Sequence, residues 1–156
     1  AVVPPTPGRL ALRSVGSLTL VDDSYNANPG SLAAAASTLA DIDLDGRRVV
    51  VVGDMLELGD GAAALHRMAG RQLAESGTAL LIAVGDHAAD VRDGAVEAGL
   101  PLEASVLCTD RAAAKAALAD RLGPGDVVLV KASRAMGLER LIEDLQPPAS
   151  ARAAAS

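Results

Sequence analysis

The sequence predicts an α/β fold: a Rossmann-like, doubly wound, mostly parallel sheet of about six strands, with an antiparallel pair at its N-terminal edge. Three observations predict it. Short apolar runs alternate along the chain with segments of helical periodicity. Most of the runs, such as Val49-Val50-Val51-Val52 and Val127-Val128-Leu129-Val130, are apolar throughout rather than at every second residue. Strands buried on both faces look like this, and they belong in parallel sheets covered by helices. The polar residues cluster where these runs end, and in open α/β sheets the ligand site lies outside the C-terminal ends of the strands.

Residues 1–8, with Pro4, Pro5, Pro7 and Gly8, do not suit a regular element and read as a linker remnant of a longer protein. Arg9 to Val15 alternates, and Gly16-Ser17 reads as a hairpin turn into Leu18 to Val21, the expected antiparallel pair. Ser31 to Ala40 carries Leu32, Ala35, Ala36 and Leu39 at helical spacing. The strand Val49 to Val52 ends at Gly53-Asp54. Ala62 to Glu75 is the second helix, with Leu65, Met68, Ala69 and Leu73 expected on one buried face and Gly77 as its C-terminal stop. Ala79 to Val84 is a strand ended by Gly85-Asp86, and Ala88 to Ala98 a helix closed by Gly99 and Pro101. Ser105 to Cys108 is a short strand, and Asp110 caps a helix from Arg111 to Leu122. After the strand Val127 to Val130, a last helix runs to about Leu145. Residues 9–146 thus form one domain, and 147–156 an Ala/Ser/Arg tail expected to be disordered.

Composition narrows the function. Aromatic residues make up 1% of the chain, with one Tyr and no Trp or Phe, so Ala, Val and Leu must fill the core through close backbone approach. The net charge of −6 speaks against a phosphate-backbone binder, and the lack of aromatics against base stacking. No nucleic-acid partner is expected. No apolar run reaches the roughly 20 residues that cross a bilayer, and no charged-then-apolar leader opens the chain, so no membrane partner is expected either. The single Cys108, in an apolar run, reads as a buried thiol and fits a reducing cytoplasm.

The candidate site lies at the strand ends. Asp22-Asp23-Ser24-Tyr25-Asn26-Ala27-Asn28-Pro29 follows the second strand. Asn28 before Pro29 fits a helix N-cap and first turn. That leaves Asp22, Asp23, Tyr25 and Asn26 without a structural reason. Lys131 and Arg134, three residues apart where a strand passes into a helix, suit an anion; the plainer roles are a solvated pair or an ion pair with Asp22 or Asp23. Asp86 and Asp110 read as helix N-caps or loop solubilisers, and for Asp110, before Arg111-Ala112-Ala113, the cap is nearly a sufficient reason. His66, beside Arg67 on a helix, reads as a surface or interface residue rather than a ligand. There is no Gly-x-x-x-x-Gly-Lys-[Ser/Thr] loop, no Gly-x-Gly-x-x-Gly fingerprint, no nucleophile elbow and no metal-spaced cluster. The chain carries polar strand ends but no self-sufficient catalytic set.

Three segments carry a family resemblance: Asp22 to Pro29; Val51-Val52-Gly53-Asp54-Met55-Leu56-Glu57-Leu58-Gly59 with His66 beyond it; and Leu129-Val130-Lys131-Ala132-Ser133-Arg134-Ala135-Met136 with Leu138-Glu139. Together they resemble the C-terminal domain of the Mur ligase family, in its MurF-type branch. Ala132 departs from the pattern, which usually has Gly there. The resemblance runs from about Arg9 to Gln146. It implies a three-domain cytoplasmic ligase of peptidoglycan synthesis that joins D-Ala-D-Ala to UDP-MurNAc-tripeptide through an acyl phosphate, with ATP and Mg²⁺ held mainly by a central domain and the UDP-sugar by an N-terminal one. It implies that Asp23, Tyr25, Asn26 and Asn28 meet the nucleotide, and that Lys131, Ser133 and Arg134 face the dipeptide. Asp54 and His66 match family positions to which the resemblance attaches no role, and Asp22 is likewise unassigned. The chain alone is expected to be inactive. The alternatives are a free-standing Rossmann-type nucleotide or small-molecule binding module, and the C-terminal domain of another Mur-type ligase.

Overall fold

In the computed structural model the described residues are 11–15, 18–22, 29–41, 46–55, 58–131 and 140. The expected linker, the expected turn at 16–17, most of the expected last helix and the expected tail therefore lie outside them.

The elements run β1 (Ala11–Val15), β2 (Leu18–Asp22), α1 (Pro29–Asp41), β3 (Arg48–Val52), α2 (Ala62–Glu75), β4 (Thr78–Val84), α3 (Ala88–Glu97), β5 (Ser105–Cys108), α4 (Arg111–Arg121) and β6 (Val127–Lys131). The fold is α/β, and its sheet order is β1-β2-β6-β3-β4-β5. β2, β6, β3, β4 and β5 pair in parallel, while β1 runs antiparallel to β2. The chain places β6 last in sequence but between β2 and β3 in space. The exits of β6 and β3 are thereby adjacent, with Lys131 in register with Val52.

Alternation along each strand sends side chains to two separate cores. Val50, Val52, Leu81, Ala83, Val127 and Leu129 pack with residues of α1, α2 and α3. Val49, Val51, Leu80, Ile82, Val128 and Val130 pack with Ala114 and Leu118 of α4. Both faces of the central strands are covered, which is why β3 and β6 tolerate no polar residue until their ends.

With no Phe or Trp available, packing is tight rather than large. α2 and α3 meet at two glycines. A Cβ on Gly70 would fall well inside van der Waals distance of the Val91 carbonyl, and one on Gly94 would do the same to the Arg67 carbonyl. This is the close backbone approach expected from the composition.

Local signals held at several boundaries. Asp110 caps α4, its Oδ1 accepting from the Ala113 amide at 2.9 Å. Gly77 and Gly99 follow α2 and α3 with positive φ. Cys108 is buried, and burial, with the nearby Asp110 charge, pushes its thiol pKa up.

Three expectations need correction. Met68 is 52% exposed, because the buried stripe of α2 is His66, Ala69, Gly70 and Leu73, one step round the helix from the expected face. His66 is a core residue, not a surface one. Asp86 does not cap α3: the N-cap position is held by His87, which makes no side-chain cap bond.

Candidate functional site

The exits of the parallel strands are tied to one another by hydrogen bonds. The β3–β6 ladder continues past the strand, with the Gly53 amide donating to the Lys131 carbonyl at 2.9 Å. On the other side, the Gly85 amide donates to the Cys108 carbonyl at 2.9 Å. Asp54 bridges the two halves. Its carboxylate accepts from the Asp86 amide (2.9 Å, Oδ2) and the His87 amide (2.9 Å, Oδ1), so the loop leaving β3 grips the loop leaving β4. Two amides on one carboxylate form charge-assisted bonds in a largely buried setting.

The next residue, Met55, is held from the helix above it. His66 is fully buried, and its Nε2 accepts from the Met55 amide at 2.8 Å. Its Nδ1 lies 2.6 Å from the Ala62 carbonyl, four residues back on α2. A carbonyl only accepts and an amide only donates, so the ring is a neutral imidazole with its proton on Nδ1. The His87 ring stacks on it, with centroids 4.2 Å apart and an interplanar angle of 15°. His87 Nδ1 in turn lies 3.0 Å from Asp90 Oδ2.

Lys131, the last residue of β6, is 2% exposed. By strand alternation it shares the face of Val127 and Leu129, beneath α1 and α2. A cation at the exit of a central strand, so deeply placed, is unusual for a lysine.

Of the residues singled out in the sequence, the structure brings together Asp54, His66 and Lys131 around the exits of β3 and β6. Asp22 ends β2, in register with Val130 and so one position short of Lys131. Asp23, Tyr25, Asn26, Asn28, Ser133 and Arg134 lie outside the described residues. His87 was missed. Its sequence signal was present, since it is the only other histidine and follows a strand-end Gly-Asp, but nothing local says that it stacks on a residue of α2.

Among the described residues no three His, Cys, Asp or Glu side chains stand together as a metal cage. Asp54, the buried carboxylate nearest the strand exits, is engaged by two amides. The described part of this chain therefore does not fit a Mg²⁺ site by itself. A cavity of ≈ 350 Å³ lined by Arg47, Leu80, Pro101, Glu103 and Arg121 lies at the other end of the sheet, where β3, β4 and β5 begin.

A polar platform at parallel strand exits is common to many α/β proteins, and comparison with known families separates them. The profile of the "Mur ligase, glutamate ligase domain" family matches residues 8–134. The chain belongs to the Mur ligase family.

Within that family the similarity is to the MurF branch. The chain is 37% identical over 145 residues to the UDP-N-acetylmuramoyl-tripeptide–D-alanyl-D-alanine ligase of Mycobacterium tuberculosis (strain ATCC 25618 / H37Rv), covering 82% of this chain and 28% of that protein. Its fold is similar to MurF from Acinetobacter baumannii, with a TM-score of 0.79 and 32% identity, covering 91% of this chain and 31% of that one. It is also similar to the MurF ligase of Thermotoga maritima in complex with ADP, with a TM-score of 0.73 and 29% identity over 92% of this chain and 31% of that one. The chain thus spans less than a third of each of these three ligases. No helix among the described residues is long and apolar enough to cross a membrane.

Proposed function

We propose that this chain is the C-terminal domain of a cytoplasmic, ATP-dependent amide ligase that adds D-Ala-D-Ala to UDP-MurNAc-tripeptide in peptidoglycan precursor synthesis. The observation that carries the reading is the similarity to D-alanyl-D-alanine-adding ligases over most of the chain. The placement of Lys131 beside the tied exits of β3 and β4 supports it.

In this reading, ATP transfers its γ-phosphoryl group to the terminal carboxylate of the tripeptide. The amine of D-Ala-D-Ala attacks the acyl carbon, and the tetrahedral intermediate expels phosphate to leave the new amide. Such chemistry depends on positioning and charge stabilisation more than on covalent participation by the protein. This domain, residues 9–146, supplies part of that by closing over a site that it shares with a central domain and an N-terminal domain. Asp23, Tyr25, Asn26 and Asn28 meet the nucleotide. Lys131, Ser133 and Arg134 face the dipeptide, where a cation neutralises its carboxylate. Mg²⁺ is held mainly by the central domain.

The test is ATP-dependent ligation by the full-length protein that carries this chain. Phosphate release that requires both UDP-MurNAc-tripeptide and D-Ala-D-Ala is expected, with no product from residues 1–156 alone. In the full-length protein, Arg134→Ala should raise the KM for D-Ala-D-Ala about tenfold and leave that for the tripeptide nearly unchanged. An unaltered dipeptide KM would remove Arg134 from its role. Ligation of a different amino acid or dipeptide in preference to D-Ala-D-Ala would overturn the assignment to this branch.

A further inference from the structure

We infer that His66 is a positioning residue for the dipeptide side of the site, acting through the Asp54–Met55 peptide; the inference rests on the function proposed above. Three contacts and the chain itself close a circuit around that peptide. Asp54 takes the His87 amide, the His87 ring stacks on the His66 ring, and His66 takes the Met55 amide, one residue along the chain from Asp54. The peptide is therefore pinned from both sides, by the β4 exit through Asp54 and by α2 through His66. The same loop begins at Gly53, whose amide is bonded to the carbonyl of Lys131. Any shift of Met55 is transmitted over two residues to the backbone that carries this lysine.

The choice of histidine has a chemical reason. A buried acceptor for an amide at 2.8 Å must present a lone pair and still satisfy its own N–H. The Nδ1–H imidazole does both, one nitrogen to Met55 and the other to Ala62, while offering a flat face to His87. An aliphatic side chain of equal size would fill the space and leave the Met55 amide without its partner. Among the described residues, Ala62 and Met55 present backbone atoms to the ring, and the N-cap of α3 presents the His87 ring, backed by the Asp90 carboxylate.

The experiment uses the full-length ligase with His66→Ala, His66→Gln and His87→Ala. Gln keeps a neutral acceptor for the Met55 amide without the ring. His66→Ala should raise the KM for D-Ala-D-Ala about tenfold while the KM for ATP changes less than about threefold, and His66→Gln should recover most of that loss because the buried bond is restored. Amide hydrogen exchange at Met55, read in the same proteins without any ligand, should accelerate in His66→Ala and return towards wild type in His66→Gln. If His66→Ala does not fold, His87→Ala, which removes the partly buried stacking ring and its contact with Asp90 but keeps the Met55 bond, should raise the same KM by a smaller factor. Unchanged Met55 exchange in His66→Ala overturns the hydrogen-bond basis. Faster exchange with an unchanged dipeptide KM overturns the positioning role, as does an equal loss in kcat and both KM values that Gln fails to rescue. Absence of D-Ala-D-Ala ligation by the wild-type protein would instead overturn the proposed function, and the exchange measurement would still decide whether His66 holds Met55.

Discussion

Gly85 leaves the space that the Asp54 carboxylate occupies. A Cβ at Gly85 would lie 2.5 Å from Asp54 Oδ2, and the backbone there has a φ of +109°. The glycine is needed twice over, for a conformation that L side chains avoid and for a carboxylate that must reach the two amides behind it. The grip between the exits of β3 and β4 depends on this one missing methyl group.

Gly85→Ala should therefore destabilise the protein by about 1–3 kcal/mol from backbone strain alone, with the steric conflict added. The urea unfolding midpoint measures it. The companion change Asp54→Ala should cost about 1–3 kcal/mol by leaving the Asp86 and His87 amides short of an acceptor. In the double variant the two losses should fall clearly short of their sum, because both act on the same contact. Full additivity would show that Gly85 is required only for its φ.

Gly70→Ala and Gly94→Ala should each destabilise by about 1–3 kcal/mol or more through overpacking. Each methyl group would meet a carbonyl of the facing helix, so relief requires α2 and α3 to move apart. Thermal unfolding of the two variants tests this. Near-wild-type melting in both would mean that the helix pair is looser than its backbone contact indicates. Gly61→Ala is a control on the same helix's N-terminal side, where the nearest atom to an added Cβ is a Leu65 side-chain carbon at 3.9 Å, and it should change little.

At the opposite end of the sheet, Arg47 binds Asp126 through two bonds, Nη2 to Oδ2 at 2.7 Å and Nε to Oδ1 at 3.1 Å, and the Gly123 amide adds a third at 2.8 Å. Burial pushes the Asp126 carboxyl pKa up, but these bonds and the Arg47 charge outweigh it and hold the value below that of an ordinary aspartate. A depressed folded value means that the contribution is fully present above the unfolded carboxylate range, about pH 4. It is lost as the pH falls through the lower, folded value. The Arg47 side chain is half exposed, which limits the pair's net contribution to about 1 kcal/mol. Asp126→Asn should flatten the acid limb of a stability–pH profile measured by urea midpoints. An unchanged acid limb would mean that other carboxylates set it.

Much of the fold was legible because burial on both faces leaves a direct mark on composition. Val49 to Val52 and Val127 to Val130 carry no polar residue, and both are fully buried between two helix layers. Asp110 was legible for a local reason: a side chain that caps its own helix needs only the residues after it. Met68 misled because Leu65, Met68, Ala69 and Leu73 make an acceptable helical stripe, and periodicity alone does not fix its centre to within one residue. The centre is set by Gly70, whose lack of a side chain reads as weakness in the sequence and is contact in the structure.

The sequence by itself determined the class of fold and the gathering of polar residues at strand ends, since both follow from residue type and spacing along the chain, and its motifs carried the resemblance to the family. Only the tertiary structure decided what Asp54 and His66 do. Their partners are the amides of Asp86 and His87, on a separate strand exit, and the ring of His87, 21 positions beyond His66. No local pattern encodes such pairings. They arise because parallel pairing brings the ends of β3 and β4 side by side, while the close approach of α2 and α3 at Gly70 and Gly94 brings the two imidazoles into contact.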